Sequence, residues 1–396
     1  MPTVSTYAVS TGGREVSDLN SAQRVVDMSE VVAMLEPNAN PLLTLSSRLR
    51  KKPCFSHKVE WMEDEFVPRS TLGTAVEASA STAIDVTAGE GLYFKAGDLI
   101  MVVRTGEVMR VTAAAANTLT VTRGWAGTIT ATAIGDEFFC VGHAAAELAA
   151  SPSMILTQIA NKYNVTQIFR KPFGGSGTLE ASKLYSGPDR TYLRNKSGKE
   201  HAIDMERAMF FGKRVESNDG GSPARDLRSM GGLINYVTTN VTSLNSSGLD
   251  SLTDLEDFFR TGFRYGSDTK FLFASPLTLQ KIDELAMGKL QIFQGEETLG
   301  INIKRYVSGH GIVNLVRSKA FGGTGTNASA PQTAGMAFLV DLENIKYRPL
   351  RDTKLRMDIQ QNDLDGWVDE YLTEATMEVK QEKTHAILRN IDGGAF

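Results

Sequence analysis

Residues 79–142 are almost entirely short β-forming runs. TAIDVT, GLYF, DLIMVV, EVMRVT, NTLTVTR and DEFFCVG are separated by AGE, KAGD, RTGE, AAAAN and RGWAGT. Strands this short, with turn residues at this spacing, predict a small antiparallel barrel or sandwich. Within the run, RGWAGT at 123–128 invites a phosphate-loop reading. It has one basic residue, and β structure follows it, whereas a phosphate loop feeds a helix whose N-terminus holds the anion. The reading is a strand-ending turn, with Gly124 and Gly127 permitting the bend and Trp125 as its anchor.

The flanks are more mixed. In FSHKVEWMEDEF, Phe55, His57, Val59 and Trp61 share one face, and Lys58, Glu60, Met62 and Asp64 share the other, as in a strand with one apolar side. SPSMILTQIANKYNVTQIFRKPF combines a helix with a returning strand, and FGGSGT reads as a glycine turn. The longest helix is expected at 188–215, with Pro188 in its first turn and Met205, Ala208, Met209 and Gly212 at helical spacing. SLTDLEDFFRTGFRYG predicts a helix capped by Ser251 or Thr253 and stopped at Gly266. Ser275 and Pro276 open another. TKFLFAS, IKRYV, GIVNLVR and MAFLVD are strands, and 322–335 is a polar loop. In WVDEYLTEATMEVK, Trp367, Tyr371, Ala375, Met377 and Val379 take the buried side. Glu370, Glu374, Glu378 and Lys380 take the wet side, and THAILRN returns to form a long hairpin. Residues 1–50 read as an extended arm, with a short helix at 21–35 broken by Pro37 and Pro41.

Concentrated chemistry is missing. The 42 Lys plus Arg against 46 Asp plus Glu leave a net charge of −4, unlike a strongly basic nucleic-acid binder. Cys54 and Cys140 cannot alone make a four-ligand zinc site and are expected to be reduced and structural. No apolar run approaches the ~20 residues of a membrane span. His57, His143, His201, His310 and His385 each lack a second ligand at metal spacing, so neither metal nor cofactor is expected. FGGSGT fails as a nucleophile elbow because Thr178 stands where glycine is required. Glu63, Asp64 and Glu65 lie along an exposed strand edge rather than in a cleft, which suits a solvated face or an intersubunit salt-bridge partner better than acid–base catalysis. Long two-faced elements, an arm and exposed loops describe a protein that assembles with copies of itself.

In this order, several stretches carry a resemblance. They are VEWMEDEF, KAGDLIMVVRTGEVMRV, TLTVTRGWAGT, NVTQIF, KEHAIDMERAMFFGK, MGGLINYVTTN, SPLTLQKIDEL, YVSGHGIVNLV and YRPLRD. The chain resembles the tailed-bacteriophage major capsid proteins of the HK97 fold, in a subfamily with a β-rich insertion in the extended loop. The resemblance implies an α+β fold with an N-terminal arm at 1–50 and an extended loop at 51–170 carrying an insertion at about 79–142. It implies a peripheral domain at 171–230 and 346–396, with a spine helix at about 188–215, and an axial domain at 231–345. It further implies pentamers and hexamers closing an icosahedral head around double-stranded DNA, bound without sequence specificity. A scaffolding protein, a portal and a decoration protein are the partners. The virion is the location, after assembly in the host bacterial cytoplasm, and no enzymatic activity is implied. Lys58, Glu60, Trp61, Glu63, Asp64, Trp125, Glu200 and Glu206 are the candidate intersubunit-interface residues. Another virion component, a nanocompartment shell of the same fold and a hydrolase using His310 are the alternatives.

Overall fold

The computed structural model describes residues 41–44, 51–182, 189–221, 224–245, 247–285, 303–318, 320–321 and 332–391. The expected helix at 21–35, Pro188 and most of the 322–335 loop lie outside them. The chain divides into two compact units, Glu60–Lys162 and the remainder.

The first strands are β1 (Lys58–Glu63), β2 (Ser70–Leu72), β3 (Ala83–Asp85), β4 (Asp98–Val102), β5 (Val108–Ala114), β6 (Thr118–Ala126), β7 (Glu137–His143) and β8 (Ala160–Val165). β1 and β8 pair as a two-stranded ribbon. The other six form an antiparallel sheet in the order β2-β7-β4-β5-β6-β3. Its two edges meet: Gly73 bridges Val86, Thr74 N–H donates to Asp85 O at 3.0 Å, and Thr87 N–H donates to Leu72 O at 3.0 Å. The sheet is thus a small closed barrel, and closure removes the exposed edges that short strands would otherwise present. Alternate residues fill it, with Ile100, Val102, Met109, Val111, Leu119 and Phe138 each fully buried.

Three local expectations change in this unit. GLYF is no strand: Glu90–Tyr93 forms a 3-10 turn, entered through Gly89 at φ 83°. Gly91 lies so close to the backbone that a Cβ there would stand 2.0 Å from Ala115 O, which a side-chain-bearing strand residue could not tolerate. RGWAGT is not merely a turn, because β6 continues through Ala126. Gly124, at φ 66°, sits where the β5–β6 register slips between Val108↔Ala126 and Arg110↔Thr122, the position of a bulge. Residues 151–159 are not helical, and Met154, Leu156 and Ile159 are exposed, so no buried face supports a helix there.

The larger unit continues with β9 (Gln167–Ser176), β10 (Val215–Asn218), β11 (Asp226–Ser229), β12 (Val241–Ser243), β13 (Thr269–Ala274), β14 (Ile303–Ser308), β15 (Gly311–Arg317), β16 (Ala337–Val340), β17 (Ile345–Arg356), β18 (Gly366–Val379) and β19 (Ala386–Arg389). Its main helices are α1 (Asp189–Phe211), α2 (Leu252–Gly262) and α3 (Pro276–Leu285). An antiparallel sheet β17-β18-β9 carries α1 on one face. A mixed sheet runs β12-β19-β16-β13-β15-β14, and β10 with β11 forms a hairpin. One core joins Met205, Met209 and Phe210 of α1 to Phe273, Phe338 and Met377. A second packs Phe258 and Phe259 of α2 on Leu272, Tyr306 and Leu339. β14 and β15 turn tightly at SGHGI, with Val307 opposite Ile312. Ser251 caps α2 by accepting from Thr253 N–H, and Ser275 accepts from Thr278 N–H at 3.1 Å.

The C-terminal hairpin is corrected. β18 lies between β17 and β9, whereas β19 leaves for the mixed sheet, between β12 and β16. Gln381, at φ 49°, turns the chain between the two strands. FGGSGT is not a turn either. Gly174 and Gly175 pair with Val368 and Trp367, and Ser176 caps the short helix Gly177–Ala181. A Cβ at Gly174 would meet Trp367 O at 2.6 Å, and one at Gly175 would meet the Trp367 indole at 3.2 Å, so both glycines serve close approach. α2 ends at Gly262, before Gly266. The latter, at φ 90°, belongs to the turn that follows and lies against Asp341 and Lys270.

Candidate assembly interface

The register of β18 separates two kinds of side chain. Trp367, Tyr371 and Thr373 face α1, where the Tyr371 ring stacks on His201 at 6.1 Å and His201 Nε2 lies 2.7 Å from Thr373 Oγ1. Asp369 points the same way. It takes Arg190 Nη2 at 2.7 Å and Arg194 Nη2 at 3.4 Å, both from α1. Burial opposes the Asp369 charge, but Arg190, the Asp358 N–H and Arg194 outweigh it and hold the carboxyl below the usual range. Gly198 within α1 has a structural purpose: a Cβ there would stand 3.3 Å from the Tyr371 ring.

Glu370, Glu374 and Glu378 face away from α1, yet they are not wet. They are 2%, 4% and 3% exposed. Arg170 donates to Glu370 at 3.0 Å, Arg351 to Glu374 at 2.7 Å, and Arg348 pairs with Glu378. Lys380 also reaches Glu378 at 3.3 Å. A buried carboxylate is tolerated only when paired in this way. The same face carries Lys346, Lys354 and Arg356, since cross-strand partners share a face and these oppose Glu378, Leu372 and Glu370. Lys354 and Arg356 are exposed and form no ion pair among the described residues. Cations therefore outnumber carboxylates on this face of a chain whose net charge is −4.

The ribbon β1–β8 has the opposite balance. Between Val59 and Phe66 the sequence places Glu60, Glu63, Asp64 and Glu65 with no base. Glu60, Asp64 and Glu65 are exposed, and Phe66 is 99% exposed. Glu60 accepts from Asn161 at 3.4 Å, and Asp64 accepts from Thr157 Oγ1 at 2.8 Å. Lys58 Nζ stands 4.2 Å from the Tyr163 ring centroid, and Arg214 lies 3.9 Å from the same centroid. Trp61 is buried, with its indole N–H donating to Glu63 at 2.7 Å.

The remaining candidates scatter. Trp125 is 52% exposed on the barrel, with the Arg110 guanidinium 5.6 Å from its ring. Glu200 pairs with Lys171 at 3.1 Å. Glu206 is fully buried beneath the Leu43 amide and the Ser318 hydroxyl. The sequence reading missed Arg170, Arg348 and Arg351. For Arg348 and Arg351 the signal is the recurrence of basic residues in KYRPLRDTKLR, which loads one strand with cations, whereas Arg170 on β9 has no such mark.

Among the described residues no group of three or more His, Cys, Asp or Glu side chains is placed to hold a metal. His143 bonds Asp98 at 3.0 Å, His310 stands 4.0 Å from Glu256, and His385 accepts the Asp341 N–H at 3.2 Å, all in separate places. Among the described residues no helix is long and apolar enough to cross a membrane.

The chain is similar to several solved structures. A solved structure from Mycobacterium phage Ogopogo matches at TM-score 0.50 and 10% identity, over 93% of this chain and 97% of that one. A structure described as the capsid of a native GTA particle matches at TM-score 0.48 and 10% identity, over 94% and 97%. One from Microbacterium phage Oxtober96 gives 0.47 and 9%, over 93% and 96%. No curated protein matches. The architecture is the α+β fold of HK97-like phage capsids. The model of the SU10 major capsid protein family matches residues 5–392, nearly the whole chain. The chain therefore belongs to the SU10 major capsid protein family, and its role is structural, as the repeated building block of a phage head shell.

Proposed function

We propose that copies of this chain tile an icosahedral head as pentamers and hexamers around double-stranded DNA. The family match over residues 5–392 carries this reading. Assembly takes place in the host bacterial cytoplasm on a separate scaffolding protein, with a portal at one vertex, and a decoration protein binds the finished shell. The chain contributes no catalysis. Its slight acidity limits adhesion to the packaged DNA, leaving only local basic contacts.

In this reading residues 51–170 are the extended loop, 171–230 and 346–396 the peripheral domain, and 231–345 the axial domain. The separate compact unit Glu60–Lys162 supports the loop assignment, and the barrel supports the insertion. The acidic ribbon, with Lys58, Glu60, Glu63 and Asp64, lies on the cationic β17-β18-β9 face of a neighbouring copy. A lone two-stranded ribbon is marginal in water, so it requires such a neighbour. Trp125 and Glu200 lie on surfaces that meet other subunits. The test is expression with the phage's scaffolding protein, followed by negative-stain microscopy and nuclease challenge. Closed shells, and nuclease-resistant DNA in virions, are expected. A chain that stays monomeric with its scaffold overturns the proposal.

A further inference from the structure

Glu206 lies in the middle of the larger core, fully buried on α1 between Met205 and the Met209–Phe210 pair. Glu107, Asp369, Glu370, Glu374 and Glu378 meet arginine, whereas this carboxyl, like Asp341, meets amides. Glu206 Oε2 accepts the Leu43 N–H at 3.1 Å, and the Leu42 N–H also donates to the carboxyl. Oε1 takes the Ser318 hydroxyl at 3.1 Å, just beyond β15, and Ser318 Oγ in turn accepts the Ala320 N–H at 3.2 Å. Leu42 and Leu43 belong to a single helical turn at 41–44, and their side chains enter the same core, at 0% and 8% exposure. The carboxyl and the two leucines thus form one socket and plug between α1 and the 41–44 turn.

We propose that Glu206 is a detachable latch for the amino-terminal segment: its uncharged carboxyl holds the 41–44 turn in the core, and its ionisation lets the turn go. Among the described residues no base forms an ion pair with Glu206. The 41–44 turn, PLLT, has no titratable side chain. Arg207, beside Glu206 on α1, and Arg317, ahead of Ser318, form no ion pair with it among the described residues. Burial pushes the carboxyl up to about 8, against hydrogen bonds from Leu43, Leu42 and Ser318 that favour the charge. A raised value places the stabilisation below the ordinary carboxyl range, near 4.5, and removes it as pH climbs through about 8. Docking of the turn then weakens by roughly tenfold per pH unit across that window. The latch concerns the single subunit and stands whether or not the shell reading does.

Hydrogen exchange by mass spectrometry on the unassembled full chain tests this, with rates corrected for the intrinsic pH dependence. In the native protein, protection of residues 42–44 is expected to fall about 100-fold from pH 5 to pH 7, while α1 stays protected. Glu206→Gln keeps a neutral acceptor and is expected to hold the same protection at both values. Leu42→Ala lowers protection of the turn at both pH values and keeps the native slope. An equal pH slope in Glu206→Gln and native protein overturns the latch, as does loss of protection across α1 together with the turn. Should Glu206→Gln fail to fold, Leu42→Ala decides alone: opening confined to 41–44 with the native slope supports the latch, and opening shared with α1 overturns it.

Discussion

Arg123 shows how much a single side chain holds in the barrel. Its guanidinium donates to both oxygens of Glu107, at 2.8 and 2.7 Å, and to the Ala78 carbonyl at 3.2 Å. Glu107 is fully buried and also accepts the N–H groups of Gly124 at 3.2 Å and Thr130 at 3.4 Å. Burial opposes its charge, but Arg123 and these amides hold the carboxyl below its ordinary range. Arg123→Ala leaves that buried charge without its counter-ion and is expected to cost the barrel about 3–5 kcal/mol, read as an early melting step of Glu60–Lys162. Trp125→Ala, by contrast, removes an exposed ring and one cation–π contact, so a loss of about 1 kcal/mol or less is expected in the same melt. A second titrating residue gives the larger unit an acid limb. His385 is buried, and burial, reinforced by Lys270 and opposed by Asp341, pushes it down to about 4 from 6.5. The stabilisation from its neutral ring is present above 6.5 and is lost as pH falls toward 4, a change of ~3 kcal/mol. His385→Asn keeps an acceptor for the Asp341 N–H and is expected to flatten that limb in urea titrations at pH 4.5 and 7.5.

At the scale of elements, β18 organises the larger unit by sorting its charges between two neighbours. Its fit to β9 depends on two glycines of unequal importance. Gly174→Ala sets a Cβ 2.6 Å from a backbone carbonyl, which cannot swing aside, whereas Gly175→Ala sets one 3.2 Å from the edge of an indole ring. Gly174→Ala is expected to cost about 1–3 kcal/mol and Gly175→Ala less, by thermal unfolding of the full chain. The two faces of β18 were legible because alternation is a local property: Tyr371, Ala375 and Met377 share a side, and Glu370, Glu374 and Glu378 the other. That the glutamates are buried was not legible. Their arginines arrive from β9 and β17, and register across distant strands leaves no periodic mark in one strand. The same limit explains β19, whose apolar run fits a returning hairpin as well as it fits the mixed sheet. The barrel was legible in kind because its strands are short and consecutive. Its closure through Gly73 and Val86, and the use of Arg123 as a pin, rest on contacts between residues far apart in sequence. Among the candidate interface residues, Trp61 and Glu206 looked available because residue type alone does not reveal burial.

For the whole molecule the question is how a subunit of net charge −4 associates closely with many copies of itself. Uniform like charge would repel, so attraction requires the charge to be divided between surfaces. The ribbon, with Glu60 and Asp64, and the sheet face, with Lys354 and Arg356, are such a division. All four side chains are exposed, so reversing their charge is expected to leave the fold of the single subunit intact. In the proposed contact between copies, each reversal places like charges against each other. The double variant Glu60→Lys with Asp64→Lys is expected to lower the yield of shells at least tenfold, as is Lys354→Glu with Arg356→Glu. Combining all four in one chain restores opposite signs and the yield. Because the groups are exposed, the contact also weakens with salt: the screening length falls from about 10 Å at 0.1 M to about 3 Å at 1 M. Light scattering and negative-stain counts, with melting curves of the unassembled variants as a folding control, read the result. If either reversed pair assembles as well as the native chain, or the fourfold variant does no better than the worse pair, the ribbon and the sheet are not partners and the exposed cations of β17 meet some other surface.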